Sequence, residues 1–279
     1  MQFTEYLKAL FLGIVEGITE WLPISSTGHM LLVDEFLHLN LSHSVKNWFL
    51  YLIQLFAVFA VILLFWKKMW PFGWKDEGGK KRGIYFKKDI FIVWLKVAVA
   101  CVPGAVVTLL FDDWIDEHLT TPVVIAAALI VYGIAFLFIE GKKKKEPRVR
   151  TLEDVSWLDA LYIGLFQVLS IIPGTSRSGA TILGALLIGI SRTAAAEFTF
   201  FLAVPAMFGM SLIKMMDFDL EFAAGEPAVI LTGALTAFLV SLVCVKFLMN
   251  YIKKHDFKVF GVYRILLGIA VLTVFLFIL

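Results

Sequence analysis

Five side chains in this sequence are costly to bury and useful for chemistry. Glu16 and Glu20 stand four apart, so a helix puts both on one face, inside a stretch that is otherwise apolar. Two carboxylates that close either keep a proton between them or hold a divalent cation. Ser26 and His29 stand three apart, at and just past the break Pro23-Ile24-Ser25-Ser26-Thr27-Gly28. A serine beside a histidine is a candidate nucleophile with its general base. The same spacing also suits Ser25 or Ser26 as a plain helix cap. Arg177 lies in a second break, Pro173-Gly174-Thr175-Ser176-Arg177-Ser178-Gly179. Its guanidinium stays charged and its fork matches phosphate, although an ion pair with Glu16 or Glu20 is the structural alternative.

Around these five, Ser25 and Thr27 on the first break and Thr175, Ser176, Ser178 and Thr181 on the second offer hydroxyls to an anion. Gly174 and Gly179 let the backbone approach closely. A helix starting at either break directs free amides at the same anion. Gln54, in a long apolar segment, is a further candidate to line the cavity; an interhelical hydrogen bond is its simpler role. The set suits a phosphoanion and its hydrolysis.

Such residues need elements to hold them, and the composition says which. Of 279 residues 60% are apolar and only 17% charged, with a mean hydropathy of +0.86. Soluble domains carry roughly 25% charge, so much of this apolar surface must face lipid. Six segments reach the roughly 20 residues a bilayer crossing needs: about 47–66, 90–110, 122–140, 197–216, 227–249 and 260–279. Nothing in the charge distribution suggests nucleic acid, and no polar segment is long enough for a separate soluble domain. Glu5, Glu16 and Glu20 interrupt what would be the apolar part of a cleavable signal. Cys101 and Cys244 sit in apolar runs and read as small buried hydrophobes. Pro103 and Pro205 mark expected kinks.

The two broken segments, about 9–37 and 160–190, have halves too short to cross. They are expected to form re-entrant helical hairpins, because irregular backbone at membrane depth survives only beside protein or a wet cavity. Ala9-Leu10-Phe11-Leu12-Gly13 echoes Ala160-Leu161-Tyr162-Ile163-Gly164, with Glu16 opposite Gln167. Gly13 and Gly17 form a small-xxx-small pair that admits a neighbouring helix. Each hairpin precedes three spans, so residues 1–150 and 151–279 are expected to be two repeats. Three is odd, so the second is inverted. The expected fold is an all-α polytopic membrane protein of six spans and two hairpins whose tips meet near the midplane.

Loop charges alternate accordingly. Lys67, Lys68, Lys75, Lys80, Lys81, Arg82, Lys87 and Lys88 follow the first span, and Asp112, Asp113, Asp116 and Glu117 the second. Lys142–Lys145 with Arg148 and Arg150 follow the third, and Asp217, Asp219, Glu221 and Glu226 the fourth. Lys253, Lys254 and Lys258 close the series. Basic loops stay in the cytoplasm, which leaves both termini outside it.

The stretch Glu16-Gly17-Ile18-Thr19-Glu20-Trp21-Leu22-Pro23-Ile24-Ser25-Ser26-Thr27-Gly28-His29 closely resembles the first signature of bacterial undecaprenyl-diphosphate phosphatases, also called bacitracin-resistance proteins. Pro173 to Thr181 resembles the second. The resemblance implies hydrolysis of undecaprenyl diphosphate to undecaprenyl phosphate and phosphate, which recycles the carrier lipid of cell-wall synthesis. It also implies a bacterial plasma-membrane location, a site open to the extracytoplasmic face and a divalent cation, magnesium or calcium. On that reading Arg177, with Ser176, Ser178 and Thr181, clamps the diphosphate. Ser26 attacks with His29 as base, and Glu16 and Glu20 hold the cation or orient water. In a variant, water attacks directly and Ser26 only binds phosphate. An inverted-repeat transporter or lipid flippase is the rival on architecture alone. The sequence leaves monomer and homodimer open.

Overall fold

A computed structural model describes residues 3–77, 80–141, 146–216 and 221–277. Ten helices carry these residues: α1 (Phe3–Thr19), α2 (Ser26–Phe36), α3 (His43–Met69), α4 (Lys88–Leu119), α5 (Pro122–Gly141), α6 (Trp157–Val168), α7 (Arg177–Leu187), α8 (Arg192–Met216), α9 (Glu226–Ile252) and α10 (Lys258–Phe277). Six of them (α3, α4, α5, α8, α9 and α10) contain stretches long and apolar enough to cross a membrane, where the sequence places its spans. Their outward faces keep side chains that water would reject: Leu109, Phe138 and Val243 are each more than 60% exposed. Apolar surface on that scale marks contact with lipid.

Local chemistry sets several boundaries. Pro122 opens α5, where its missing N–H costs nothing, and Lys67 and Lys68 close α3 against its dipole. Ser156 and Asp159 form a reciprocal capping box at the start of α6. Pro103 and Pro205 both lie inside helices, α4 and α8.

Two features depart from the expected layout. The basic loop after the first span carries an antiparallel pair of strands, β1 (Phe72–Glu77) and β2 (Lys80–Phe86), so the described chain is not wholly α-helical. The acidic segment Asp112–Glu117 is not a loop: α4 continues through it to Leu119, because nothing between Phe111 and Leu119 breaks a helix. The Lys142–Lys145 run, with Asp217 and Asp219, lies outside the described residues.

Four packing relationships position the two broken segments. The start of α1 is tied to the chain just after α2, for Lys8 Nζ donates to the His38 carbonyl at 2.6 Å and the Asn40 amide to Glu5 at 2.8 Å. The approach to α6 is likewise tied to the end of α7: the Arg148 amide donates to the Gly189 carbonyl at 2.8 Å, and its guanidinium to Asp159. Along α1, Gly13 lies against the Gly233 carbonyl and Gly17 against the Ala237 carbonyl of α9; a Cβ at either glycine would overlap them. Gly164 of α6 meets the Ala100 carbonyl of α4 in the same way, with the Gln167 amide near Gly104. Residue numbers rise together in both pairs, so α1 runs parallel to α9 and α6 to α4.

Candidate active site

The two breaks have the same backbone device. Ser25 and Ser176 both hold left-handed φ angles, 72° and 69°, a conformation that side chains other than Gly, Asn and Asp rarely adopt. Each serine caps the helix that follows, its Oγ accepting from the third amide in line, Gly28 at 3.3 Å and Gly179 at 3.2 Å. Capping therefore occupies two of the hydroxyls expected to bind phosphate, and the first-turn amides of α2 and α7 lack intrahelical acceptors.

Glu20 is where the breaks meet. Its Oε1 accepts from Arg177 Nη2 at 3.1 Å and its Oε2 from Ser26 Oγ at 2.8 Å. Both ends of the ion pair are buried, the Arg177 side chain 13% exposed and that of Glu20 7%. Ser178 Oγ lies 3.3 Å from the Glu20 carbonyl and 3.4 Å from that of Leu22, which ties the second break to the first. Thr181 is held by Thr199 at 2.9 Å and by the Arg177 carbonyl. Ser176 and Ser178 sit 3.1 Å apart.

The remaining expected residues are placed less uniformly. Thr27 is exposed beside Ser26, and Gly174, with φ 92°, packs against the Ile125 carbonyl, where no Cβ would fit. Thr175 is fully buried and its hydroxyl has no partner among the described residues. Gln54 is half-buried in α3, with no hydrogen bond to the cluster among the described residues. His29 does not meet Ser26 among the described hydrogen bonds. Its Nδ1 lies 2.7 Å from the Ser25 carbonyl and its Nε2 2.7 Å from the Tyr263 hydroxyl, and its ring stacks on Tyr263 at 5.5 Å.

Behind both breaks stands Arg264 of α10, 0% exposed. Its Nη1 donates to the Pro23 carbonyl at 3.2 Å, its Nη2 to the Gly174 and Thr175 carbonyls at 2.8 and 2.7 Å. The guanidinium lies 5.3 Å from the centre of the Tyr132 ring, and no carboxylate pairs with it among the described residues. Arg264 clasps the two breaks through their own backbone.

The profile of bacitracin resistance protein BacA matches residues 9–270. An undecaprenyl-diphosphatase of Enterococcus faecalis is 60% identical over 275 residues, 98% of each chain. One from Lachnoclostridium phytofermentans is 54% identical, covering 99% of each chain. Undecaprenyl-diphosphatase 1 of Clostridium acetobutylicum is 51% identical, again over 99% of each. The chain belongs to the bacitracin resistance protein family.

Within this family member, the sequence alone singled out Glu20, Ser26 and Arg177, and the fold brings them into direct contact. It gave no sign of Tyr263 and Arg264, which sit in an apolar span. The available signal was the cost of an arginine inside such a span, whose default reading is functional.

A divalent cation needs free, hard oxygen ligands. Glu16 is 3% exposed and its Oε1 is buried without a partner among the described residues, which fits that need. Both Glu20 oxygens are engaged, and among the described residues no three His, Cys, Asp or Glu side chains come together. Of the two glutamates, Glu16 alone thus offers a free oxygen, which fits only a cation of the magnesium type, one that needs few protein carboxylates because substrate phosphate oxygens would complete its shell.

Proposed function

We propose that this protein hydrolyses undecaprenyl diphosphate to undecaprenyl phosphate and inorganic phosphate, recycling the carrier lipid of cell-wall synthesis. The single observation that carries the chemistry is Glu20, which holds a serine hydroxyl on one oxygen and one arginine nitrogen, Nη2, on the other. The relatives' names supply the substrate. Arg177 binds the diphosphate with donors that Glu20 leaves free, aided by the first-turn amides of α2 and α7. Aimed at charge as it spreads over the transferring phosphoryl group, such donors lower the barrier most. Thr27 borders that space, while Ser25, Ser176, Ser178 and Thr181 support the breaks that frame it.

Ser26 Oγ attacks the terminal phosphorus and gives its proton to Glu20 Oε2. The anhydride bond to the bridging oxygen breaks, and undecaprenyl phosphate leaves. Water then attacks the phosphoserine, releasing phosphate and returning the proton to Ser26. What supports Glu20 over His29 as the base is the 2.8 Å contact to Ser26, whereas His29 Nε2 is engaged by Tyr263. Direct attack by water is the second reading, favoured by the unpartnered Glu16 Oε1. Glu16, with Glu20 beside it, would hold a magnesium or calcium ion, which would supply neutralisation of phosphate charge.

The same proposal includes the membrane arrangement. Residues 1–150 and 151–279 form two inverted repeats, and the α1–α2 and α6–α7 pairs are re-entrant hairpins. In support, each pair is tied back to its own start, and a constant offset of 151 residues relates Gly13 to Gly164, Ser25 to Ser176 and Gly28 to Gly179. The parallel partners of α1 and α6 are the fifth and second spans, which point oppositely if successive spans alternate. Basic loops fix the cytoplasmic side, so both termini face outward, and the family resemblance implies that the mouth of the site opens on that same side. The test is phosphate release by purified protein: one phosphate per undecaprenyl diphosphate and none from undecaprenyl phosphate is expected. No release from folded protein would overturn the proposal.

A further inference from the structure

Five exposed aromatic rings form a ladder across the first basic loop. Trp66 stacks on Trp70 at 4.7 Å, Trp70 meets Phe72 at 5.7 Å, Phe72 meets Phe86 at 5.7 Å and Phe86 meets Phe91 at 5.2 Å. The ladder leaves α3, crosses both strands and ends on α4. All five rings are between 43% and 47% exposed, in a position where a soluble domain would have buried them. Aromatic side chains that stay exposed at the end of a span belong at the level of lipid headgroups. Beside the ladder lies an apolar cleft of about 230 Å³, walled by Ile62, Trp66, Trp70 and Trp94 with Val204 of α8. Between Lys67 and Asp89 the chain carries eight basic residues against three acidic ones. Lys68 is neutralised by Glu197 at 2.6 Å; Lys67, Lys87 and Lys88 have no acidic partner among the described residues.

We infer that this end of α3, α4 and the β1–β2 hairpin is a binding site for an anionic phospholipid. One acyl chain lies in the Val204 cleft, the headgroup phosphate sits among Lys67, Lys87 and Lys88, and the aromatic ladder rests at the interface. Charge complementarity selects the occupant: a zwitterionic lipid fits the cleft equally well but gains nothing from the uncompensated lysines. Basic residues near an anionic lipid surface each favour association about fivefold at physiological ionic strength. The inference does not depend on the phosphatase reading, since none of its residues touches Glu20, Ser26 or Arg177.

The experiment is native mass spectrometry of detergent-purified full-length protein titrated with phosphatidylglycerol or phosphatidylcholine of matched chains. Wild type is expected to retain phosphatidylglycerol at least fivefold better. Val204→Trp, which fills the cleft, is expected to lose both lipids. The triple variant Lys67→Gln, Lys87→Gln, Lys88→Gln changes two exposed side chains and the half-buried Lys87, whose Nζ donates to the Lys67 carbonyl at 3.2 Å, and it is expected to bind both lipids equally. Equal retention by wild type, or a phosphatidylglycerol preference unchanged in the triple variant, would overturn the inference. A surface that binds neither lipid yet pulls down a protein would also overturn it.

Discussion

Ser25 and Ser176 stand 151 residues apart and hold the same left-handed backbone, each capping a helix that begins one residue later. The residue after each cap is where the two halves diverge: Ser26 in the first, Arg177 in the second. Positions at the same offset therefore carry a hydroxyl and a guanidinium, and Glu20 joins them. Its counterpart at that offset is Ile171, which carries no charge.

If Glu20 takes the Ser26 proton, Glu20→Gln should lower kcat by about 100-fold or more, the usual scale of general-base help. His29→Gln, which removes a contact to Tyr263, should cost less. Steady-state rates on undecaprenyl diphosphate at fixed cation concentration decide the order. A larger loss at His29 would put the proton there.

Ser26→Ala separates covalent from direct attack. Rapid quench of wild type with substrate labelled at the terminal phosphate should trap label on the protein, and Ser26→Ala should trap none and turn over at background rate. Full turnover by the variant would move the attack to water.

Arg264 makes a stability prediction. Arg264→Met leaves the Pro23, Gly174 and Thr175 carbonyls buried without donors, at about 1–3 kcal/mol for each unsatisfied group. Its thermal midpoint in detergent should fall by many degrees, and kcat with it, because the tips lose their common anchor. Arg264→Lys, able to reach one or two carbonyls, should recover part of both. An unchanged midpoint in Arg264→Met would show that the clasp holds nothing.

Asp159 makes a pH prediction at the start of α6, outside the six spans, where its partner Arg148 is exposed. Burial pushes its carboxyl up, but the Arg148 guanidinium and the Ser156 amide and hydroxyl outweigh that and hold it below the usual carboxylate range. A carboxyl depressed by folding stabilises the native state above its unfolded value, near 3.9, and that stability goes as pH falls through the folded value. Asp159→Asn should therefore lower the thermal midpoint at pH 7 and make progressively less difference below about pH 4. A penalty that grows in acid would contradict the assignment.

Much of this was legible in the sequence because it depends on short-range pattern. Long apolar runs place the six spans, and the two proline-led breaks locate Ser26 and Arg177. The partner of Ser26 was not legible, because spacing relates residues only along one helix. His29 shares a helix with Ser26, while Glu20 reaches it across the turn. Arg264 was hidden for the same reason, since its acceptors are backbone carbonyls from two breaks 90 and 241 residues away. The β1–β2 hairpin escaped notice because lysines and glycines interrupt its alternation.

The most direct measurement is phosphate release from undecaprenyl diphosphate by detergent-purified wild type and Arg177→Ala, each with and without EDTA. Wild type should release phosphate, lose most activity under EDTA and regain it with added magnesium or calcium. Arg177→Ala should be reduced by about 100-fold or more in every condition, the scale of losing a preorganised donor. Release by Arg177→Ala at the wild-type rate would contradict the site built on Glu20, Ser26 and Arg177.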